Sequence, residues 1–300
     1  MKCSFRQLEV FAATARNHNI SRAADELAMS QSAASNALKE LETQFQVLLF
    51  DRVGKRLVLS ELGRRVLPEA QAILERAQAF ERVLQQDGSD QALPGGDLRV
   101  GATLSIGNYL VAGLVARYVE ENPGARVALE VANTRQIVER ISQFQLDIGL
   151  IEGELFHPDL VSEPWRDDEL IIFCAPDHPY AKRHHLHDRE LLEATWLLRE
   201  EGSGTRQTFD RAMTGLLPRL NVLMELQHTE AIKRGVESGL GIGCLSAITL
   251  QDAFKRGSLV RLEAPGRDFR RTLYRVRHRR KFIGAGLQRW IAICDESIGG

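Results

Sequence analysis

The sequence predicts an α/β protein in which a small, mainly helical domain and a long linker helix precede a larger α/β domain of two lobes. Two observations predict this fold. Apolar residues recur at helical spacing up to about residue 86, and strand-like runs alternate with helical runs after a polar stretch rich in Gly and Pro. The predicted domains are residues 1–60, residues 61–96 for the linker helix and a hinge, and residues 97–300 for the two lobes.

Composition excludes several classes of protein. With 44% hydrophobic and 26% charged residues, the chain is neither disordered nor fibrous. Its 39 Lys and Arg balance 40 Asp and Glu, so contact with nucleic acid requires a local basic patch. The N-terminus lacks the pattern of a signal peptide, and no stretch has the eighteen or so apolar residues of a membrane span. We therefore expect a cytoplasmic protein without a membrane partner.

Two short helices joined by a tight turn are predicted between His18 and Glu42. Ser30 follows the turn and is a good N-cap for the second helix. This spacing is typical of a helix-turn-helix, whose second helix enters the major groove of DNA. The apolar residues that define the two buried faces are Ile20, Ala23, Ala24 and Leu27, then Ala34, Ala37, Leu38 and Leu41.

The outward face of the second helix carries hydrogen-bonding side chains suited to base edges in double-stranded DNA. Gln and Asn pair with adenine through two hydrogen bonds, and Ser donates or accepts at any base. The alternative is a helical hairpin with a solvated polar face inside an ordinary domain, because short motifs often match by chance. The predicted DNA-contacting residues of this helix are Gln31, Ser32, Ser35, Asn36 and Lys39.

A basic hairpin is predicted directly after these helices. Two short apolar runs flank a turn at Gly54, and Arg52, Lys55 and Arg56 lie at its tip. Such cations suit phosphate contacts, so the hairpin has the features of the wing of a winged helix-turn-helix. A basic surface hairpin without that role is the alternative.

Ser60 caps a predicted helix that reaches about Gln86. Its apolar residues form a narrow seam typical of a dimerising helix, and packing on its own domain is the alternative. Asp87 to Gly96 follows as a predicted hinge. The seam residues are Val66, Ala70, Ile73, Leu74, Ala77, Phe80 and Leu84.

The remaining chain predicts two α/β lobes, residues 97–162 with a return at 269–300, and residues 163–268. The first lobe is predicted to contain strands from Leu98 to Thr103, Val127 to Val131 and Ile148 to Ile151, with helices from Ser105 to about Asn122 and Thr134 to Phe144. The second is predicted to contain strands from Leu170 to Ala175, Trp196 to Arg199, Val222 to Leu226 and Ile242 to Leu245, with helices from about Thr205 to Leu217 and Glu230 to Ser238. A strand from Thr272 to Val276 and a helix from Leu287 to Cys294 complete the prediction.

Polar residues with Gly mark three junctions between a strand and a helix, where ligands bind in open α/β sheets. Hydroxyls and helix N-termini there favour a compact anion, so we predict a small anionic effector. Ser and Thr acting only as N-caps are the alternative. The predicted effector-binding residues are Thr103, Ser105, Asn133, Thr134, Gly202, Ser203, Gly204 and Thr205.

Other patterns give no catalytic site, cofactor or metal. Gly202 to Thr205 and Gly239 to Gly243 lack the spacing of nucleotide-binding loops. The loop with His178, His184, His185 and His187 lacks carboxylates at metal-ligand spacing, and the four separated cysteines are interpreted as buried thiols rather than redox switches. The cations from Arg270 to Lys281 fit either an exposed sheet edge or a second nucleic-acid surface. We therefore do not expect an enzyme.

The N-terminal part of the chain resembles the LysR-type transcriptional regulators, through RQLEVF, AADELAMSQSAAS, LFDR and the start of the linker helix at Ser60 to Gly63. Later segments resemble the YeiE-like subgroup of that family, namely IGNYL, DIGLIEG, SEPW, REEGSGTR, EAIK and GLGIGCLS.

The resemblance implies a homodimer or homotetramer that reads an interrupted palindromic operator and has RNA polymerase as a further partner. It also implies an effector domain of periplasmic-binding-protein type and, for the subgroup, a small oxyanion such as sulfite. The alternative function is a cytosolic solute-binding or enzymatic α/β protein with an incidental helix-turn-helix.

Overall fold

The computed structural model describes residues 2–53, 56–85, 98–183 and 185–297, with the main chain alone at 52–53, 56, 79 and 82–85. The chain divides into two compact units, Met1–Ala92 with Arg280–Gly284, and Leu93–Arg279 with Ala285–Gly300. The domain boundaries after residues 60 and 96 stay predictions. The predicted hinge, Asp87 to Gly96, and His184 lie outside the described residues.

The first unit is a helix-turn-helix followed by a β-hairpin and a long helix. Asn19 caps the second helix by accepting hydrogen bonds from the N–H groups of Ser21 and Arg22, at 2.8 and 3.1 Å. The turn passes through Ala28 at φ +50°, and one apolar core joins the helices to the hairpin. The elements are α1 (Phe5–Asn17), α2 (Ile20–Glu26), α3 (Gln31–Phe45), β1 (Phe50–Val53), β2 (Arg56–Leu59) and α4 (Glu61–Gln85).

Ser60 caps α4 as predicted, because its Oγ accepts a hydrogen bond from the N–H of Gly63 at 2.9 Å. The predicted seam divides along the helix. Val66, Ala70 and Leu74 contribute to the core of the first unit, whereas Ile73 and Phe80 are 45% and 63% exposed. The first turns of α4 therefore pack on their own domain, and dimerisation through the exposed residues stays a prediction. The side chain of Leu84 is outside the described part of the chain.

The second unit contains a mixed sheet covered by helices. Its first elements are β3 (Leu98–Thr103), α5 (Leu104–Tyr109), α6 (Val111–Glu121), β4 (Val127–Ala132), α7 (Thr134–Ser142), β5 (Ile148–Glu152) and β6 (Leu160–Cys174). Next come α8 (Asp188–Glu193), β7 (Thr195–Arg199), α9 (Gly204–Ala212), β8 (Asn221–Leu226), α10 (Thr229–Glu237) and β9 (Ile242–Ser246). The last are α11 (Ala247–Arg256), β10 (Val260–Leu262), β11 (Arg270–His278) and α12 (Ala285–Glu296).

The strands lie in the order β4-β3-β5-β11-β6-β9-β7-β8, and β10 pairs with β6. Parallel pairs join β3 to β4 and β5 at one end, and β7 to β8 and β9 at the other. Between these groups, β11 is antiparallel to both β5 and β6, and β6 is antiparallel to β9. The predicted lobes are therefore joined by two crossing strands, with separate apolar cores on each side of the crossing.

Strand β6 begins at Leu160, ten residues before the start predicted at Leu170. The prediction missed the first half of the strand because that half is polar and contains Pro164. Its pairing with β11 is irregular, since Arg166 pairs with Leu273 and Pro164 with Tyr274. Trp165 is thus the extra residue of a β-bulge. Its side chain is buried, and its Nε1 donates to the backbone oxygen of Cys294 at 2.8 Å.

The helix predicted from Ser105 to about Asn122 is wrong as a single element, since α5 and α6 are separate and meet at Leu110. The buried residues Leu104, Val111, Leu114 and Tyr118 keep one helical spacing across this break, so the apolar pattern gave no sign of it. Helices α8 and α11 and strand β10 were not predicted.

The basic run from Arg270 to Lys281 is not an exposed sheet edge along its strand, which contradicts the first alternative, and the second alternative of a nucleic-acid surface stays a prediction. Strand β11 lies between β5 and β6, and Arg271, Arg275 and His278 are buried. Arg275 is compensated, since its Nη1 donates to the backbone oxygen of Ile291 at 3.1 Å and lies 2.7 Å from Asp295 Oδ1. Buried, paired charges explain why the run is basic without forming an exposed edge.

Candidate functional site

Helix α3 presents a polar face to solvent. Ser30 caps the helix by accepting a hydrogen bond from the N–H of Ala33 at 3.2 Å, while Leu38 and Leu41 are buried in the core. The helix therefore has a fixed orientation with its polar side outward. All five predicted DNA-contacting residues of this helix are exposed: Gln31, Ser32, Ser35, Asn36 and Lys39.

A groove lies beside this face. It has a volume of about 540 Å³ and is bounded by Gln7 on α1 and by α3 residues that include Asn36 and Lys39. Thr43 and Gln44 extend the same wall beyond the predicted residues. Thr43 and Gln44 directly follow the helix-turn-helix predicted between His18 and Glu42, so they were not among the predicted residues. Lys39 makes no ion pair within the described ranges of the chain, so its charge is available to a ligand surface.

The predicted wing is an antiparallel hairpin, in which Asp51 pairs with Val58 and Val53 with Arg56. Lys55 lies outside the described residues, as do the side chains of Arg52 and Arg56. Their phosphate contacts therefore stay predictions.

In the second unit, a buried carboxylate meets the predicted effector residues. Glu152 ends β5 and is 1% exposed. Its Oε1 accepts a hydrogen bond from the N–H of Ser105 at 3.2 Å, and its Oε2 accepts one from Thr205 Oγ1 at 2.8 Å. Arg271 Nη1 also donates to Glu152 Oε2, at 3.1 Å. One carboxylate therefore joins the first turns of α5 and α9 to the crossing strand β11.

The network continues into the second lobe. Arg271 Nε donates to Asp168 Oδ2 at 2.8 Å, and Ser246 Oγ donates to Asp168 Oδ1 at 2.9 Å. Ser246 also caps α11 by accepting from the N–H of Ile248 at 3.2 Å. We call Glu152, Thr205, Arg271, Asp168 and Ser246 the Glu152 cluster.

The charges of Glu152 and Arg271 stabilise each other. Burial raises the pKa of the Glu152 carboxyl, but the Arg271 charge and the hydrogen bonds from Ser105 and Thr205 outweigh it, so this pKa lies below its usual value. Burial lowers the pKa of the Arg271 guanidinium, but Glu152 and Asp168 raise it by more. The net shift of this pKa is therefore upward. One guanidinium thus faces two buried carboxylates.

Two buried hydroxyls next to the cluster have unused hydrogen-bonding capacity. Thr103 precedes α5 and Ser105 lies in its first turn, and both residues are 2% exposed. Neither Thr103 Oγ1 nor Ser105 Oγ has a hydrogen-bond partner within the described residues. Since buried polar atoms are nearly always hydrogen-bonded, these two indicate a position for a ligand or a water.

The junctions before α7 and α9 converge on the same place. Thr134 Oγ1 donates to the backbone oxygen of Glu152 at 3.1 Å and accepts from the N–H of Gly204 at 3.2 Å. A Cβ on Gly204 would lie 2.0 Å from the Glu152 backbone oxygen, so only Gly fits there. The structure therefore brings predicted residues from both lobes together around Glu152.

The other predicted effector residues have structural partners. Asn133 caps α7 and donates from Nδ2 to Glu200 Oε1 at 3.2 Å. Ser203 caps α9 by accepting from the N–H of Thr205 at 3.2 Å. Gly202 adopts φ +90°, and its backbone oxygen accepts from the N–H of Arg135 at 3.2 Å. The alternative of N-capping therefore describes Asn133 and Ser203 well, but not Thr103, whose side chain makes no capping bond.

A second contact joins the lobes through α5 and α10. The hydroxyl of Tyr109 donates to the Glu230 carboxylate and accepts from Lys233 Nζ at 3.1 Å. Lys233 is 6% exposed and also donates to the backbone oxygen of Thr249 at 3.1 Å. Thr229, which begins α10, has a buried Oγ1 without a partner in the described chain.

Three of the four cysteines, Cys174, Cys244 and Cys294, are buried as predicted, whereas Cys3 is half-buried. Burial raises the pKa of the Cys174 thiol to about 11 and that of Cys294 to about 12, so both are unreactive at neutral pH. Burial also raises the pKa of Cys244. Across the described ranges, no group of three or more His, Cys, Asp or Glu could hold a metal ion.

Comparison with known proteins decides the family. Residues 5–64 match the bacterial regulatory helix-turn-helix protein model of the lysR family, and residues 91–298 match the LysR substrate binding domain. The chain belongs to the LysR family of transcriptional regulators.

This LysR-family chain is 41% identical over 295 residues to the uncharacterized HTH-type transcriptional regulator YeiE of Escherichia coli K12, covering 98% of both chains. A full-length OxyR variant from Pseudomonas aeruginosa has the same fold, with a TM-score of 0.75 at 24% identity, over 99% of this chain and 95% of that one. The regulatory domain of Synechocystis CcmR, solved in complex with 2-PG, has a TM-score of 0.63 at 26% identity, over 68% of this chain and 98% of that one.

These comparisons confirm the main functional prediction. The LysR-family chain is a DNA-binding transcriptional regulator with an effector-binding domain, and its relatives are named as regulators rather than enzymes. The alternative of an incidental helix-turn-helix is therefore wrong. Within the described part of the chain, no helix is long and apolar enough to cross a membrane.

Proposed function

We propose that this LysR-family regulator senses a small anion, with sulfite or a related oxyanion as the first candidate, at the edge of the Glu152 cluster. The observation that carries the proposal is the pair of buried hydroxyls of Thr103 and Ser105, which have no partner among the described residues. Both lie at the start of α5, next to the Ser105 N–H that Glu152 accepts from. An oxyanion has several acceptor oxygens and no need of an apolar pocket, so it fits these donors. The complex of the CcmR regulatory domain with 2-PG supports a small-molecule site in a related domain.

Binding would act on the angle between the lobes. The residues around Glu152 come from β5, α5, α9 and the crossing strand β11, so a ligand there contacts both lobes and their connection. Such a ligand shifts the equilibrium between lobe arrangements only if it binds them with unequal affinity. The change would then pass to the DNA-binding domain and alter its engagement of the operator.

For DNA, we propose that Gln31, Ser32, Ser35, Asn36 and Lys39 face the bases, and that Arg52, Lys55 and Arg56 contact phosphates. Exposure of the whole polar face of α3 supports the first part. A homodimer through α4, or a homotetramer, would present two recognition helices to an interrupted palindromic operator. We propose that the protein acts in the cytoplasm and that RNA polymerase is a further partner.

Two isosteric variants test the effector site in the full-length protein. Thr103→Val removes a hydroxyl that has no partner within the described chain, so it should weaken anion binding without loss of stability. Thr205→Val removes a hydroxyl that bonds Glu152 and Arg271, so it should reduce stability as well. Calorimetric titration with sodium sulfite and sodium sulfate measures affinity, and fluorescence anisotropy measures operator binding. Unchanged anion affinity in Thr103→Val would reject this site.

A further inference from the structure

Glu152 occupies the position that best suits an anion. Its carboxylate receives a main-chain N–H from α5, a hydroxyl from α9 and a guanidinium from β11, at 3.2, 2.8 and 3.1 Å. These three kinds of donor are the ones that bind oxyanions in proteins. The predicted anion site is therefore already filled by a carboxylate of the same chain.

The charge balance argues against a second anion beside it. Arg271 is shared between Glu152 and Asp168, and both of its partners are buried with it. Arg199 is a second buried guanidinium whose charge acts on Glu152. It is already paired with Glu200 through two hydrogen bonds of 2.8 and 3.0 Å. An added anion would meet the Glu152 carboxylate in a site shielded from water, where like charges repel strongly.

The main chain of Glu152 is held by contacts that do not involve its carboxylate. Its backbone oxygen is held by Thr134 Oγ1 at 3.1 Å, and Gly204 packs directly on the same atom. Only hydrogen bonds and one ion pair hold the carboxylate within the described chain, and Thr103 and Ser105 offer unused hydroxyls beside it. A rotation of this one side chain would leave five donors for an anion, namely the Ser105 N–H, the hydroxyls of Thr103, Ser105 and Thr205, and the Arg271 guanidinium.

We propose that Glu152 is a tethered competitor, a carboxylate of the chain that fills the anion position until an oxyanion displaces it. This inference rests on the proposed anion site and adds its regulation: Glu152 sets the threshold concentration of the effector. Glu152 also selects against anions that bind weakly, because an effector must displace a carboxylate that is attached to the same chain and cannot diffuse away. Displacement breaks the contact between β5 and α9 through Thr205, so binding and lobe arrangement are coupled.

Variants of Glu152 test the competition in the full-length chain. Glu152→Gln keeps the shape but removes the charge, so affinity for sodium sulfite or sodium sulfate should rise by about tenfold or more at constant ionic strength. Glu154→Gln is the matched control. Glu154 is two residues after Glu152, its side chain is exposed, and it pairs with Arg211 at 3.3 Å, so the variant removes the same charge outside the cluster. It should leave the affinity as it is.

Glu152→Ala gives a second, independent measurement. It leaves a gap the size of a carboxylate facing Arg271, so sodium acetate should raise its melting temperature while leaving that of the natural protein and of Glu154→Ala unchanged. Equal or weaker anion affinity in Glu152→Gln, or a lack of response of Glu152→Ala to acetate, would overturn the competition. These measurements need no DNA, so they fail separately from operator binding. They also differ from the Thr103→Val titration, which tests whether the anion site exists.

Discussion

Arg271 Nη1 lies 3.1 Å from Glu152 Oε2, and both side chains are 1% exposed. This pair joins the last residue of β5 to the crossing strand β11, and Asp168 holds the other side of the same guanidinium at 2.7 Å. Removal of the guanidinium alone would leave two carboxylates buried without their cation. The pair therefore makes the middle of the second unit sensitive to single substitutions.

We expect Arg271→Met to lower the free energy of unfolding by about 3–5 kcal/mol, because breaking a buried ion pair strands its partner charge. The double variant Glu152→Gln with Arg271→Met should regain part of that loss. Arg135→Met is the control, since it breaks a pair with Glu201 in which the side chains are 65% and 86% exposed, and should cost about 0–1 kcal/mol. Urea unfolding followed by tryptophan fluorescence reports on this unit, because Trp165, Trp196 and Trp290 all lie in it. A loss below about 1 kcal/mol in Arg271→Met would contradict the role of the pair.

Acid should weaken the same unit through Glu152. The pKa of this carboxyl is lower in the folded chain than its ordinary value of 4.5, so its ionised form stabilises the fold above about pH 4.5. That contribution is lost as the pH falls through the lowered pKa, since the carboxyl then binds a proton in the folded state too. Glu152→Gln cannot titrate, so its stability should fall less steeply than that of the natural protein between about pH 5 and the acid limit of folding. Parallel curves of unfolding free energy against pH for the two proteins would argue against this assignment.

The parts of the fold that follow from local pattern could be predicted from the sequence. Helical spacing and the cap at Ser30 predicted α2, the turn and α3, because these depend on neighbours within about four residues. Likewise, Thr103, Thr134 and Thr205 could be placed at junctions between strands and helices, and the structure brings these junctions together.

The centre of the site could not be predicted in this way. Glu152 and Arg271 are 119 positions apart, and they meet only because β11 pairs with β5 so that Leu273 is opposite Glu152. Local sequence around Arg271 is basic and alternating, which is equally typical of an exposed edge. Glu152 itself follows a buried strand in DIGLIEG, and an acidic residue at such an end was a signal that we did not use. Long-range strand pairing decides that Glu152 and Arg271 meet, and the local sequence around either residue does not reveal this pairing.

The linker helix offers a test of self-association. Phe80 is 63% exposed in the single chain, so Phe80→Ser should leave its stability nearly unchanged. If Phe80 is buried between two chains, its loss should weaken the dimer by at least about tenfold, since burial of a Phe side chain contributes roughly 1.5–3 kcal/mol. Sedimentation at several concentrations measures this. Phe156→Ser is the matched control, because Phe156 is 92% exposed in the second unit. Equal dissociation constants for the two variants would remove Phe80 from the dimer interface.

The recognition face of α3 predicts a change in base preference rather than in overall affinity. Ser35 is exposed, and its hydroxyl has no partner within the described chain, so Ser35→Ala should not disturb the fold. Loss of a base contact should relax discrimination at one operator position by about 1 to 3 kcal/mol, while binding to non-specific DNA stays the same. Ser142→Ala, on α7 of the second unit, controls for handling of the protein and should keep full discrimination. Anisotropy titrations against a set of single-base operator variants give the comparison. If Ser35→Ala and Ser142→Ala show the same preference at every position, Ser35 does not face a base, and the reading face must lie closer to Gln31 or toward Lys39.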